Sequence, residues 1–171
     1  MKIIEAMKRV KLNEAKITDL QAKIGNTCAN LSHETPVYGA DTPSKIAEWA
    51  QSCDDLSQEN IRLLCAIQRT NLATDVAIEI GGKNVTKKIA EWVWRRRKYA
   101  TLDHATWSKL TDRGLREGNI QTSTGNPIEV KIVRHFDPLK RDEMMAMYRD
   151  EPHQIDGALE VVNATTELME G

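Results

Sequence analysis

The stretch CAIQRTNLATDVAIEIGGKNVT, residues 65–86, contains the change of pattern that decides the fold. Its first part continues an apolar helical pattern but carries Arg69, Thr70, Asn71 and Thr74 where apolar residues are expected. Its second part alternates apolar residues with smaller or charged ones and contains a Gly-Gly pair suited to a tight turn. A period near 3.6 therefore gives way to a period of 2, which predicts a long helix followed by a β-hairpin at 74–86.

Two long helices are predicted upstream of this point. Apolar residues recur at intervals of three, four and seven over 2–31, and again from Thr42 to about residue 71. A linker with two prolines and a glycine, 32–43, separates them, and we expect Thr42 to cap the second helix with Pro43 at its first position. A first helix of roughly 42 Å exceeds what a compact core needs, so it predicts packing along a partner helix in a homo-oligomer.

The downstream half repeats the alternation of helix and hairpin. A third helix is predicted over 86–117, a second hairpin over 119–135, and a last helix over 138–168 that Pro152 kinks or splits. The predicted fold class is therefore mainly α, an oligomeric long-helix bundle with two β-hairpin excursions. The whole chain, 1–171, is predicted to form a single helical domain.

The composition excludes several classes of protein. Hydrophobic residues make up 40% of the 171 and charged residues 29%, which is typical of a globular domain. A formal net charge of -1 gives no general attraction to nucleic acid or to anionic membranes. The chain has no apolar run of about 18 residues, and its N-terminus lacks the apolar core of a signal peptide. We therefore predict a cytoplasmic protein without a membrane or nucleic-acid partner.

Polar residues interrupt the apolar stripe of the third helix. Helical spacing places Trp92, Arg96, Tyr99 and Asp103 on one otherwise apolar side. A buried charge must find a partner, so one interpretation is an Arg96–Asp103 pair, or an asparagine network, that fixes helix register. The other interpretation is a polar pocket between helices or subunits. The residues alone leave both open.

The segment EWVWRRRKY, residues 91–99, favours the pocket. It combines arginines and a lysine with two tryptophans and a tyrosine. Guanidinium groups bind phosphates through two parallel hydrogen bonds, and aromatic faces stack on bases. A charge run of this length is also typical of a solvated helix face.

No catalytic or metal-binding motif accompanies these residues. The four histidines are scattered, and the chain has no HExxH, CxxC, GxSxG, GxGxxG or Walker-type phosphate loop. We therefore predict no enzymatic activity, no metal site and no cofactor.

Two segments resemble the septicolysin-like family of small helical bacterial and phage proteins. They are IQRTNLAT, with the following GGKN turn and VTKKIA, and the C-terminal IDGALEVVNATTEL, together about a third of the chain. The family name implies a cytolysin, but the chain shows neither a signal peptide nor an amphipathic membrane hairpin. Ala164 stands where the family has an aromatic residue, and the second hairpin is longer than usual. These departures favour a shared fold over a shared function.

The resemblance implies that the end of the second helix lies near the C-terminus and forms a hydrogen-bonded network with it. Combined with the third helix, this predicts the ligand-binding residues Arg69, Thr70, Asn71, Trp92, Arg96, Tyr99, Asn163, Thr166 and Glu167.

Two functions from different classes fit this set of residues. The first is a non-enzymatic oligomer that binds a small anionic ligand, such as a cyclic or ADP-ribose-type nucleotide. A phage protein of this kind would sequester a host immune nucleotide signal. The alternative is a structural or assembly protein, for example of a virion, in which the polar stripe only fixes helix register.

Overall fold

The structure is a computed structural model, and it describes residues 1–169. This part of the chain is mainly helical with two small antiparallel hairpins, which confirms the predicted mainly α fold class. The elements are α1 (Ile3–Thr27), α2 (Thr42–Ala73), β1 (Asp75–Ile80), β2 (Lys83–Lys88), α3 (Ile89–Trp94), α4 (Ala100–Ser108), β3 (Gly118–Gln121), β4 (Pro127–Val130) and α5 (Pro138–Thr165). A π-helical segment, Arg95–Tyr99, joins α3 to α4 without a break and is called the π segment.

The backbone divides into two compact units. Unit 1 consists of Met1–Thr74 and the residues from Leu159 onward, and unit 2 is Asp75–Ala158. One boundary follows α2, and the other falls within α5. Neither boundary coincides with the predicted linker 32–43, which lies inside unit 1.

Unit 1 is built on an antiparallel pair of helices, α1 and α2. The buried positions Ile3, Ala6 and Val10 follow helical spacing along one side of α1. The helix ends at Thr27, before the predicted residue 31, and Thr42 is the first residue of α2 instead of its cap. The Thr42 hydroxyl donates a 2.8 Å hydrogen bond backward to the carbonyl of Gly39, so it stabilises the preceding turn.

The two ends of the chain pair with each other in unit 1. The Ile3 N–H donates to the Thr166 carbonyl at 3.1 Å, and the Leu168 N–H donates to the Met1 carbonyl at 2.7 Å. These bonds form an antiparallel bridge between Lys2 and Glu167. The last helix ends at Thr165, before the predicted residue 168, because the following residues take part in this bridge.

The first hairpin of unit 2 extends from Asp75, which pairs with Lys88, to a two-glycine turn. Gly81 and Gly82 have φ values of 57° and 75°, a conformation that favours glycine. A Cβ at Gly81 would also lie 2.9 Å from the sulfur of Met147. The predicted hairpin 74–86 is therefore formed, but β2 continues to Lys88, so the next helix begins at Ile89 and not near residue 86.

The third helical stretch ends at Ser108, well before the predicted residue 117. The chain then turns through Arg113 and Gly114, which both have positive φ values. Asp112 in this turn accepts hydrogen bonds of 2.7 and 2.6 Å from the guanidinium of Arg134. Side chains from a distant segment thus hold the turn, and local sequence does not reveal that.

The second hairpin and α5 complete unit 2. Gly118 pairs with Val130 and Gln121 with Pro127, in a shorter hairpin than the predicted 119–135. The helix α5 runs through Pro152 without a break, so of the two predicted outcomes, a kink or a split, the split is wrong. Proline removes one N–H donor and its ring crowds the carbonyl one turn earlier, and a long helix that is packed elsewhere tolerates this cost.

Candidate functional site

The predicted ligand-binding residues fall in both units. Unit 1 contains Arg69, Thr70, Asn71, Asn163, Thr166 and Glu167, whereas unit 2 contains Trp92, Arg96 and Tyr99.

Thr70 is the buried member of the polar stretch that ends α2. Its side chain is fully buried, and its hydroxyl donates to the Ala66 carbonyl at 2.8 Å and accepts from the Met169 N–H at 2.9 Å. Arg69 is exposed and donates to the carbonyl of Cys65 in its own helix at 3.4 Å. Asn71 is half-buried, and its side-chain oxygen has no hydrogen-bond partner among residues 1–169. Thr70 therefore attaches the C-terminal segment to α2.

The C-terminal residues bind the N-terminus of the chain. Glu167 accepts hydrogen bonds from the N-terminal ammonium group at 3.0 Å and forms a 2.8 Å ion pair with Lys2. The Lys2 hydrogen bond is the main reason that the pKa of Glu167 lies below its ordinary value of 4.5. Thr166 contributes its carbonyl to Ile3, and Asn163 is half-buried on α5. The predicted network thus differs from the observed one, in which Glu167 is directed to the N-terminus and Met169 reaches Thr70.

The π segment changes which side of the third helical stretch is buried. Trp92 before it and Ala100 after it are both buried, whereas Tyr99 is 47% exposed and the Arg96 side chain is 39% exposed. A π turn accommodates one residue more than an α turn, so the buried stripe continues one position later than α-helical spacing predicts. The prediction that Arg96 and Tyr99 share the buried side with Trp92 is therefore wrong.

Arg95 forms the charge network that the sequence assigned to Arg96. Its guanidinium donates two hydrogen bonds to Glu151, at 2.7 and 2.6 Å, and one to Asp103 at 2.6 Å. The Glu151 side chain is only 3% exposed, and its hydrogen bond is the main reason that the pKa of Arg95 is raised. Arg96 pairs with Asp156 at the surface instead of with Asp103.

Tyr148 completes the surroundings of this network. The guanidinium carbon of Arg95 lies 5.6 Å from the centre of the Tyr148 ring, a cation–π distance. Burial raises the pKa of the Tyr148 hydroxyl above its ordinary value of 10.0. The hydroxyl group therefore stays protonated and neutral throughout the neutral pH range.

A cleft of about 310 Å³ opens beside the π segment, and we call it the π cleft. Its walls are formed by Lys87, Glu91, Trp94, Arg95 and Tyr99. In a regular α-helix, residues five apart such as Trp94 and Tyr99 would point about 140° away from each other. The π turn, with its i to i+5 hydrogen bonding, brings them to the same side. The cleft therefore depends on the π segment.

Six cations occur between Lys87 and Lys98 in the chain, and two of them, Lys87 and Arg95, line the π cleft. Salt bridges occupy three of them, namely Lys88, Arg95 and Arg96. Within residues 1–169, Lys87, Arg97 and Lys98 form no ion pair. The Lys98 ammonium lies 5.9 Å from the centre of the Tyr99 ring, so positive charge and an exposed aromatic face occur together.

Trp92 does not line the π cleft and instead connects α3 to the first hairpin. Its indole N–H donates a 2.9 Å hydrogen bond to the carbonyl of Val76, which fixes α3 to the first hairpin.

The sequence analysis did not single out Lys87, Glu91 or Glu151. Glu91 lies three residues after Lys88, which is the spacing of a helix-capping pair, and its carboxylate accepts the Lys88 N–H at 2.9 Å. No local signal marks Glu151, because its burial depends on packing from another segment.

A second cavity, of about 540 Å³, lies in unit 1 between the linker and the adjoining ends of α1 and α2. Its walls are uncharged and include Thr27, Pro36, Thr42 and Ile46. An anionic ligand would therefore find no cation there, so the π cleft is the better candidate.

Two further kinds of feature have no counterpart in residues 1–169. In that range, no three or more His, Cys, Asp and Glu side chains come together in a way that could hold a metal ion. No helix there combines the length and the apolar character needed to cross a membrane.

Comparison with known proteins gives information on the fold. No family model matches the chain, and no curated protein matches it. The crystal structure of a functionally unknown conserved protein from Corynebacterium diphtheriae is similar, with a TM-score of 0.58, 18% identity and 99% of each chain covered. At this identity the likeness shows a shared fold alone.

Proposed function

We propose that this protein is a non-enzymatic binding protein and that its π cleft holds a small anionic ligand of the nucleotide type. The observation that carries the proposal is the pair of exposed aromatic rings, Trp94 and Tyr99, that the π segment brings to one cleft lined by two cations. The volume of about 310 Å³ lies at the lower end of the usual range for small-molecule sites.

The aromatic rings would bind the base of such a ligand. Trp94 is 58% exposed and Tyr99 is 47% exposed, although large aromatic side chains are usually mostly buried. Stacking of one base on an aromatic ring contributes about 1–3 kcal/mol to binding. We therefore assign the base to these two residues.

The phosphate would be bound by cations whose charge is not already compensated. Arg95 lines the cleft, but Glu151 and Asp103 engage its guanidinium. Lys87 lines the cleft without an ion pair, and Lys98 lies beside Tyr99. We therefore assign the phosphate to Lys87 and Lys98, and no longer to Arg69 or Arg96.

Binding without chemical change is part of the proposal. The carboxylate of Glu91, the acid that lines the cleft, is held at the start of α3 by the Lys88 N–H. An acid that caps its own helix is poorly suited to act as a general base on a ligand. A binding protein of this kind would sequester a nucleotide signal in the cytoplasm, and a phage protein directed against a host immune signal is the role that we propose. A fold shared with the septicolysin-like family also remains a proposal.

Titration calorimetry and tryptophan fluorescence test the site directly. The probes are ADP-ribose, ADP, a cyclic dinucleotide, adenosine and inorganic phosphate. We expect at least one nucleotide to bind and to quench the fluorescence of Trp94. Trp94→Leu should weaken binding roughly five- to 150-fold, because one stacking contact is lost. Lys87→Gln should weaken binding of the phosphate-bearing probes more than that of adenosine.

The matched controls lie in unit 1. Trp49→Phe changes a tryptophan that contacts Tyr38, and Lys8→Gln changes an exposed lysine of α1, so both should leave affinity unchanged. No heat with any probe, or equal affinity in all variants, would contradict the proposal.

A structural or assembly role is the second candidate, and the contact between Asn13 of α1 and Asn60 of α2 favours it. The Asn13 amide donates to the side-chain oxygen of Asn60 at 2.9 Å, and the Asn60 amide donates to the Val10 carbonyl at 3.3 Å. Such pairs fix the register of two helices. This role predicts that no nucleotide binds, and that substitution of these asparagines disturbs assembly while Trp94→Leu does not.

A further inference from the structure

Arg95 carries more hydrogen-bond donors than its two carboxylate partners use. A guanidinium group has five N–H donors. The Nε and Nη2 atoms each donate one hydrogen bond to Glu151, and Nη1 donates one to Asp103. Within residues 1–169, the second N–H of Nη1 and the second N–H of Nη2 have no hydrogen-bond partner. A side chain that lines the π cleft therefore keeps donors that the protein leaves unused.

The two carboxylates that bind Arg95 differ in how firmly they are held. The Glu151 side chain is buried and accepts two hydrogen bonds, whereas the Asp103 side chain is 39% exposed and accepts one. A buried carboxylate that loses its partner stays without water, but an exposed carboxylate is rehydrated when it moves away. Asp103 is therefore the partner that another anion can replace, while Glu151 keeps the guanidinium group in place.

Asp103 follows Tyr99 by one turn of the helical stretch. The helix is regular between these two residues, and residues four apart lie on the same side of a helix. Tyr99 lines the π cleft, and so does Arg95, whose guanidinium group lies 2.6 Å from the Asp103 carboxylate. An anion that approaches Arg95 from the cleft therefore meets the negative charge of Asp103 and repels it.

We propose that Asp103 stands in for a phosphate group and that the π cleft selects nucleotides with a second phosphate, namely nucleoside diphosphates. Lys87 and Lys98 bind the first phosphate, and the second phosphate takes the place of Asp103 on Arg95. The exchange keeps a charged hydrogen bond on Nη1 and engages the donors left unused. A ligand with one phosphate leaves the pair of Arg95 and Asp103 intact. This inference rests on the proposed nucleotide function of the cleft.

Titration calorimetry with adenosine, AMP and ADP tests the exchange in the wild type and in Asp103→Asn. Asparagine still accepts a hydrogen bond from Arg95, but it has no charge that repels a phosphate. We expect ADP to bind Asp103→Asn about five- to tenfold more tightly than the wild type, because the hydrogen bond that it replaces is neutral and weaker. The affinities for AMP and adenosine should change little, because neither ligand carries a second phosphate.

The matched control is Asp156→Asn. It removes the same charge from an exposed aspartate, which pairs with Arg96 outside the cleft, and it should leave the affinity for ADP unchanged. A second measurement needs no substitution at Asp103. In the wild type, the NMR signal of the Asp103 carboxyl carbon should shift when ADP is added and stay in place when AMP is added.

The outcomes separate this inference from the proposed function. If AMP and ADP bind and Trp94→Leu weakens both, the nucleotide function stands. The exchange is then overturned by an unshifted Asp103 signal with ADP, by an equal gain for AMP and ADP in Asp103→Asn, or by the same gain in Asp156→Asn. If no probe binds to the wild type or to Asp103→Asn, both proposals are overturned.

Discussion

Arg95 and Glu151 form an ion pair with two hydrogen bonds that joins the π segment to α5 within unit 2. The distances are 2.7 and 2.6 Å, and Glu151 is almost completely buried. Arg95 also lines the π cleft, so this ion pair supports one wall of the cleft. The charge of the glutamate therefore holds in place the segment that presents Trp94 and Tyr99.

Substitution of Glu151 should destabilise the protein. Glu151→Ala leaves Arg95, which is only 23% exposed, with Asp103 alone, and we expect a loss of roughly 3 kcal/mol in the free energy of unfolding. Asp156→Ala is the control, since it breaks the exposed pair with Arg96 and should cost at most about 1 kcal/mol. Urea denaturation measures both values. Equal effects of the two substitutions would show that burial of Glu151 does not matter.

Loss of the Thr70 hydroxyl should release the C-terminal segment. Thr70→Val keeps the shape but leaves the Met169 N–H without its acceptor, and we expect a cost of about 1–3 kcal/mol. Thr18→Val is a matched control, because the exposed Thr18 hydroxyl also donates to the carbonyl four residues earlier. Hydrogen exchange of the Met169 amide should speed up only in Thr70→Val. An unchanged exchange rate would exclude the proposed tie.

Substitutions of Asn13 on α1 and Asn60 on α2 should have non-additive effects on the free energy of unfolding, because the two side chains are hydrogen-bonded to each other. Replacing either residue by alanine removes one partner of a buried hydrogen bond, so each change should cost about 1–3 kcal/mol. Replacing both by leucine should be far less harmful than the two single changes together, because no buried polar partner is left. A double-mutant cycle measured by chemical denaturation gives the coupling. Strict additivity of the two alanine substitutions would exclude an interaction.

Glu167 should make the stability of unit 1 vary with pH in the acid range. Its pKa is lowered in the folded protein, so the unfolded chain binds more protons between the folded value and 4.5. The stabilisation is therefore complete above about 4.5 and is lost as the pH falls through the folded pKa. Unfolding measured at several pH values should show a weaker acid dependence in Glu167→Gln than in the wild type. The exposed Glu14 is the control, and Glu14→Gln should leave the pH profile unchanged.

The sequence predicted the elements correctly where the hydrophobic period was strong. The change from a helical to an alternating pattern after Thr74, with Gly81 and Gly82 at the turn, is a local signal, and the structure has a helix and a hairpin there. The predicted ends of the helices were less accurate. The end at Ser108 depends on contacts such as that of Arg134 with Asp112, and these residues are far apart in the chain.

The candidate site shows most clearly what only the tertiary structure decided. Residue types alone marked EWVWRRRKY as a cationic and aromatic segment. They did not show that Arg95, and not Arg96, would be half-buried against Glu151, nor that Tyr99 would face the same cleft as Trp94. Both facts depend on the π segment, which shifts the helix faces by one residue. Sequence periodicity assumes one constant turn, whereas the π turn that forms buries Trp92 and Ala100 and lets Arg95 reach Glu151 in the packed protein.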